Sequence, residues 1–246
     1  MAWHSVFGLL GAFCGAAVGM SLVAGRVGWA RAYGVAIGGI LGGLAGSRIF
    51  HVADAWQYYA AHPADVLALW NGGAAVTGGI VGGIVGAIVV ARRRGMPIGY
   101  TLDHGVVGLS LGMAIGRIGD IINGEHHATA CAGVPWCVRY TDPNTLGQRD
   151  PVHPAVAYEL ALDLVIFLVL LFLVRRNMRD GQLVLLFLML YGVARLALSP
   201  FRLDPLWLFG LSQAVVVSLA FIVIGAAGLL WLRRAVPRRA APILTP

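Results

Sequence analysis

Seven apolar segments, each near the length that crosses a bilayer, leave few folds open to this chain. They run over about residues 4–24, 33–53, 74–91, 100–122, 155–174, 182–199 and 208–232. Roughly 20 apolar residues in helical form span the hydrocarbon of a membrane. A helix satisfies its own backbone hydrogen bonds there, and an open strand does not. The chain is therefore expected to be an all-α membrane protein with seven transmembrane helices, forming one polytopic domain over residues 1–246. Charged residues make up 12% of it, about half the ~25% of soluble domains.

All 18 basic residues are arginine, and their placement predicts orientation. Twelve fall in alternate connections and the C-terminal tail: Arg26, Arg31, Arg92, Arg93, Arg94, Arg175, Arg176, Arg179, Arg233, Arg234, Arg238 and Arg239. The opposite side receives Arg139, Arg149 and Arg202. The positive-inside bias then puts the C-terminus in the cytoplasm and the N-terminus outside. Residues 123–154 become a small extracytoplasmic loop or cap. The net charge of +7 calls for no nucleic-acid partner, because the arginines flank apolar runs. No cleavable signal peptide is expected, since no basic residue precedes the first apolar run. Bulky Phe13 argues against a lipid-modified Cys14. Cys131 and Cys137 lie in a polar connection where a disulfide can form if it is extracytoplasmic. Their spacing does not argue for a metal, and no cofactor is implied.

Ionisable residues inside a span are expensive, so each is a functional candidate by default. Arg117 and Asp120 are three apart in "GRIGDIINGE" and share a helix face. Asp103 lies fourteen residues earlier, close to the same face. Asn123 and Glu125 extend this polar surface. Tyr191, Arg195 and Ser199 form a second stripe, and Glu159 and Asp163 a third. Structural ion pairing and a functional role both stay open for Asp163, Asp103 and Arg48. Arg117 with Arg195 reads as an anion clamp, because guanidinium presents a planar fork suited to phosphate. In a membrane that phosphate belongs to a lipid headgroup. In the third span, Gly78, Gly82 and Gly86 predict close helix packing.

The chain resembles the prolipoprotein diacylglyceryl transferase family over nearly its whole length. "GRIGDIINGE" is similar to that family's Gly-Arg-x-Gly-Asn-Phe-x-Asn-x-Glu signature. "RAYGV" resembles its Tyr-Gly motif, with Tyr33 in that role. "WNGGAAVTGGIVGG" resembles its Trp-x-Gly-Gly and His-Gly-Gly stretch. "HPAVAYE" matches its His-Pro-x-x-x-Tyr-Glu motif at His153, Pro154, Tyr158 and Glu159. "YGVARLALSPFRLDP" matches its Tyr-Gly-x-x-Arg region at Tyr191, Gly192, Arg195 and Arg202. The resemblance implies an enzyme of the bacterial cytoplasmic (inner) membrane. It would transfer diacylglyceryl from phosphatidylglycerol to a cysteine thiol in a prolipoprotein signal peptide, among membrane lipids and with no nucleic acid. Arg117, Arg195 and Tyr33 are then the expected catalytic residues. Arg117, Asp120, Asn123, Glu125, Tyr191, Arg202 and Thr77 are the expected headgroup contacts.

Several positions depart from the family pattern. Thr77 stands where the family has the His-Gly-Gly histidine, and threonine is no base at neutral pH. Asp120 replaces an Asn, Ile121 a Phe, Ala128 a Gly and Ser199 a Glu. Free cysteine has a pKa near ~8.5, so a base would help the thiol. His126 and His127, which directly follow Glu125, and His104, next to Asp103, are the candidate substitutes. The alternative is a family paralogue that kept the lipid cavity but processes another lipid or thiol. A solute transporter fits less well, since the spans show no internal repeat.

Overall fold

The computed structural model describes residues 3–68, 72–131, 133–176 and 178–235. Trp70 and Asn71 of the "WNGG" stretch and Arg238 and Arg239 of the arginine count lie outside the described residues. Seven long helices are apolar enough to cross a membrane. They are α1 (Trp3–Val27), α2 (Trp29–Asp54), α4 (Val76–Arg93), α5 (Ile98–Asn123), α6 (Ala155–Leu173), α7 (Gln182–Leu198) and α8 (Gln213–Ala235). A short helix α3 (Trp56–Ala61) and a 3-10 turn (Pro63–Leu67) follow α2, and a second 3-10 turn (Ser199–Phe201) follows α7.

The last span differs from expectation. Its predicted first residues instead belong to a hairpin of β1 (Leu206–Leu208) and β2 (Leu211–Ser212). The two residues between the strands, Phe209 and Gly210, both have positive φ, 54° and 73°. Such a pair suits the tight turn whose twist matches that of strands. The helix therefore begins at Gln213. Hydropathy alone could not separate apolar strand residues from the span that follows.

The chain divides into two compact units, one of residues up to 19 and from 103 onward, the other of residues 20–102. In the second unit, α2 and α4 pack along facing glycines. A Cβ added at Gly42 would stand 3.0 Å from the Gly86 Cα, and one at Gly46 would stand 2.8 Å from the Gly82 Cα. Any side chain there would push the helices apart, as the small-residue spacing predicts. Val23, Ala32, Val35, Ala91 and Met96 form the buried cluster beside this seam. Among the described residues, Arg48 is not held by a carboxylate. Its guanidinium donates to the backbone carbonyls of Asp65 (2.5 Å), Val66 (2.9 Å), Gly72 (2.6 Å) and Gly73 (3.1 Å). It thereby satisfies an irregular connection that would otherwise leave polar backbone unpaired.

In the first unit, α1 and α5 meet through a second glycine seam. Cβ atoms at Gly11 and Gly15 would each lie 3.3 Å from backbone atoms of Gly112, and one at Gly119 would lie 2.8 Å from the His4 Cα. Asp103 does not pair with Arg117, because fourteen residues of helix separate them by about 21 Å. Its carboxylate instead accepts from the backbone N–H of Gly181 (2.7 Å) and Val184 (2.9 Å). That caps the start of α7, where the helix dipole favours an anion.

Residues 124–154 are tied down at several points. Cys131 and Cys137 form a disulfide. Val152 pairs through isolated bridges with both Ala130 and Val138. Tyr140 donates to the Ile121 carbonyl at 2.9 Å, which fastens the connection to the end of α5.

Candidate active site

The turn that ends α5 shapes the site first. Gly124 has φ +71°, a conformation that costs glycine little. Its N–H reaches the Ile121 carbonyl at 3.3 Å, and the Glu125 N–H reaches that of Asp120 at 3.0 Å. This is the paired pattern of a Schellman cap. It turns the chain back on itself, so that Glu125 comes close to Asp120 although α5 has ended.

Three arginines of the first unit converge on Glu159, near the start of α6. One Glu159 oxygen is 2.9 Å from Arg202 Nη1 and 3.6 Å from Arg195 Nη1. The other is 3.0 Å from Arg117 Nη1. Asp163, one turn on, lies 3.8 Å from Arg117 Nε. Asp120 Oδ2 lies 3.2 Å from Arg117 Nη1. Asp204 accepts from Arg195 Nη2 at 2.5 Å and from Arg202 Nη2 at 2.9 Å. Burial disfavours the Asp204 charge, yet Arg195 and Arg202 hold its carboxyl below the usual aspartate range.

This corrects one expectation. Arg117 and Arg195 do not stand as an open clamp, since each is engaged by carboxylates. Three guanidinium groups face four carboxylates, so an arriving phosphate competes for the same N–H groups. Within the cluster, a cleft of about 10 Å³ is bordered by Arg117, Glu159, Asp163, Tyr191 and Arg195. That is room for about one water molecule. Four buried atoms at this cleft make no hydrogen bond to any described protein group. They are Arg195 Nη1, the Tyr191 hydroxyl, Glu159 Oε2 and Asp163 Oδ2. Three of them have only ion-pair contacts, Glu159 Oε2 at 3.0 Å and Asp163 Oδ2 at 3.8 Å from Arg117, and Arg195 Nη1 at 3.6 Å from Glu159; a buried polar atom without a hydrogen bond is costly. The set offers two donors and two acceptors at one place.

The remaining sequence candidates fall as follows. Asn123 donates to Glu125 at 3.0 Å rather than bracing an arginine. His126 lies 3.8 Å from Asp120. Burial, then the charges of Arg202 and Arg117, push its pKa down to about 4. His126 also borders a larger cavity of about 70 Å³, shared with Glu125, Tyr140 and His153. His127 faces the Leu146 carbonyl at 3.4 Å. His104 sits sixteen residues before Asp120, about 24 Å away along α5. Ser199, one helical turn after Arg195, turns its hydroxyl back to the Leu196 carbonyl at 2.8 Å. Thr77 is buried in the first turn of α4, and Tyr33 is exposed on α2. Both belong to the second unit.

Three residues were absent from the expected site. Glu159 is the hub of the arginine cluster, and its signal was present as a carboxylate in a lipid-length apolar run. Asp204 closes the cluster only two residues after Arg202. His4, in the first turn of α1, bonds Asp120 Oδ1 through Nδ1 and lies 3.5 Å from Glu125 through the same nitrogen. It carried no sequence signal, because only the α1–α5 seam brings residue 4 to residue 120.

The model of the prolipoprotein diacylglyceryl transferase family matches residues 1–231. A phosphatidylglycerol–prolipoprotein diacylglyceryl transferase of Synechococcus elongatus is 34% identical over 218 residues, covering 84% of this chain and 75% of the relative. One of Gloeobacter violaceus is 35% identical over 213 residues, covering 82% and 77%. One of Dehalococcoides mccartyi strain 195 is 34% identical over 204 residues, covering 81% and 76%. With the family's signature stretch falling where α5 delivers Arg117 to the arginine cluster, the chain belongs to the prolipoprotein diacylglyceryl transferase family.

Proposed function

We propose that this chain transfers a diacylglyceryl group from phosphatidylglycerol to the cysteine thiol of a prolipoprotein signal peptide, as a single polytopic domain. The observation that carries this reading is the buried cleft at the arginine–carboxylate cluster, where the Tyr191 hydroxyl makes no hydrogen bond among the described residues. A phosphatidylglycerol headgroup offers phosphate oxygens that accept and glycerol hydroxyls that donate. Arg195 Nη1 and the Tyr191 hydroxyl suit the first, and Glu159 and Asp163 suit the second. The cleft is smaller than a headgroup, so entry requires the arginine–carboxylate pairs to open.

In the reaction, the thiol sulfur bonds to a glycerol carbon while that carbon's bond to phosphate oxygen breaks. Glycerol phosphate leaves. Arg117, Arg195 and Arg202 stabilise the charge that develops on the leaving oxygen, in a site where such charge–charge contact is strong. Asp120, Asn123 and Glu125 line the way in. The arginine bias supports a C-terminus on the cytoplasmic side of a bacterial inner membrane, with the α5 terminus and residues 124–154 outside.

A second reading keeps lipid binding and replaces the chemistry. Asp120 favours it, because its carboxylate occupies Arg117 at 3.2 Å. Complementation separates the two. A strain depleted of its own transferase should grow on this chain bearing a C-terminal fluorescent protein that matures only in the cytoplasm. Growth with fluorescence supports the transferase and its orientation. Expression without growth supports the second reading, and a dark fusion contradicts the orientation.

A further inference from the structure

We propose that His4 and Asp120 form the dyad that takes the proton from the attacking thiol, an assignment that rests on the transferase reading. His4 Nδ1 faces an Asp120 oxygen. A carboxylate only accepts hydrogen bonds, so in the neutral ring Nδ1 carries the proton and Nε2 keeps its lone pair. This is the arrangement in which a carboxylate fixes a histidine's tautomer and stabilises the imidazolium that forms. The His4 side chain is 49% accessible while that of Asp120 is 6%. The ring is thus reachable by a peptide from one side and anchored from the other.

Asp120 joins two functions. Its Oδ1 holds His4, and its Oδ2 holds Arg117 at 3.2 Å. The proton acceptor and a ligand for the leaving phosphate are fixed to one carboxylate. The other charged groups facing His4 are Glu125, 3.5 Å away, and Arg117. The other histidines around the cluster fit the task less well. His126 is a weak base at about pKa 4, His127 is turned to a backbone carbonyl, and His104 is about 24 Å along the helix from Asp120.

The step balances as follows. The S–H proton passes to His4 Nε2. The sulfur electron pair forms the S–C bond, and the C–O electron pair leaves with the phosphate oxygen. The imidazolium then gives its proton to water.

His4, Asp120 and Glu125 could also hold a metal ion, since one ligand atom from each lies within 4.8 Å of the others. The test therefore includes a chelator. Full-length protein in phosphatidylglycerol vesicles is assayed with a lipobox peptide carrying cysteine, and again with the selenocysteine peptide. A selenol is already ionised at neutral pH and needs no base. His4→Gln and His4→Asn both keep a donor toward Asp120. Each should lose about 10²-fold or more with the thiol at pH 7, the usual contribution of a general base. The deficit should shrink as pH rises through the thiol's ionisation near ~8.5. It should nearly vanish with the selenol. Equal losses on both peptides at every pH would make His4 a structural residue and overturn the dyad, as would unchanged rates in both variants. Loss of wild-type activity to a chelator, restored by a divalent cation, would overturn it in favour of a metal site. No transfer by the wild-type protein on either peptide would overturn the transferase reading itself.

Discussion

Glu159 separates three arginines that would otherwise be buried together. Removing one partner of a buried charge cluster typically costs about 3–5 kcal/mol. Glu159→Ala should therefore lower the unfolding midpoint in detergent far more than Asp204→Ala, because Asp204 touches two arginines and is 21% accessible. Similar small shifts for both would show that Glu159 is not the hub. His126 makes a second residue-scale prediction. Its folded pKa of about 4 lies below the ordinary histidine value of ~6.5, so the neutral ring is the form the fold accommodates. Stability from this group is complete above the unfolded pKa and is lost as pH falls from about 6.5 towards 4. Thermal unfolding at pH 7 and pH 4.5 checks this. The wild type should lose stability on acidification, and His126→Gln should lose less.

At the scale of elements, glycine decides how closely helices approach. The seam of Gly11, Gly15, Gly108 and Gly112 lets α1 lie against α5, and that contact brings His4 to Asp120. Gly112→Leu should weaken the protein by about 1–3 kcal/mol through overpacking and reduce transfer, while Gly105→Leu, with nothing within 4 Å of its Cβ position, should change neither. Parallel effects at both positions would remove the seam's special role. The seven spans were legible because hydropathy reports lipid burial directly. The α2–α4 seam was legible too, since Gly78, Gly82 and Gly86 recur every four residues. The hairpin before α8 was not, because Leu206–Leu208 is as apolar as the helix after it. Arg117, Arg195 and Asp120 could be picked out as charges in lipid, but the pairing of the arginines with Glu159 and Asp204 could not. Glu159, Asp204 and His4 come from three other parts of the chain, and the cluster exists only once the helices assemble.

For the whole molecule, family membership and the arginine cluster point to one chemistry. Thr77 and Asp120 mark where this chain departs from the family signature, and Asp120 lies where the cluster meets His4. The most direct test is mass spectrometry of a lipobox peptide incubated with purified protein in vesicles. With phosphatidylglycerol present, the peptide should gain one thioether-linked diacylglyceryl group, and Arg117→Ala should give no more product than empty vesicles. A wild-type protein that folds, binds phosphatidylglycerol and still leaves the peptide mass unchanged would contradict the account.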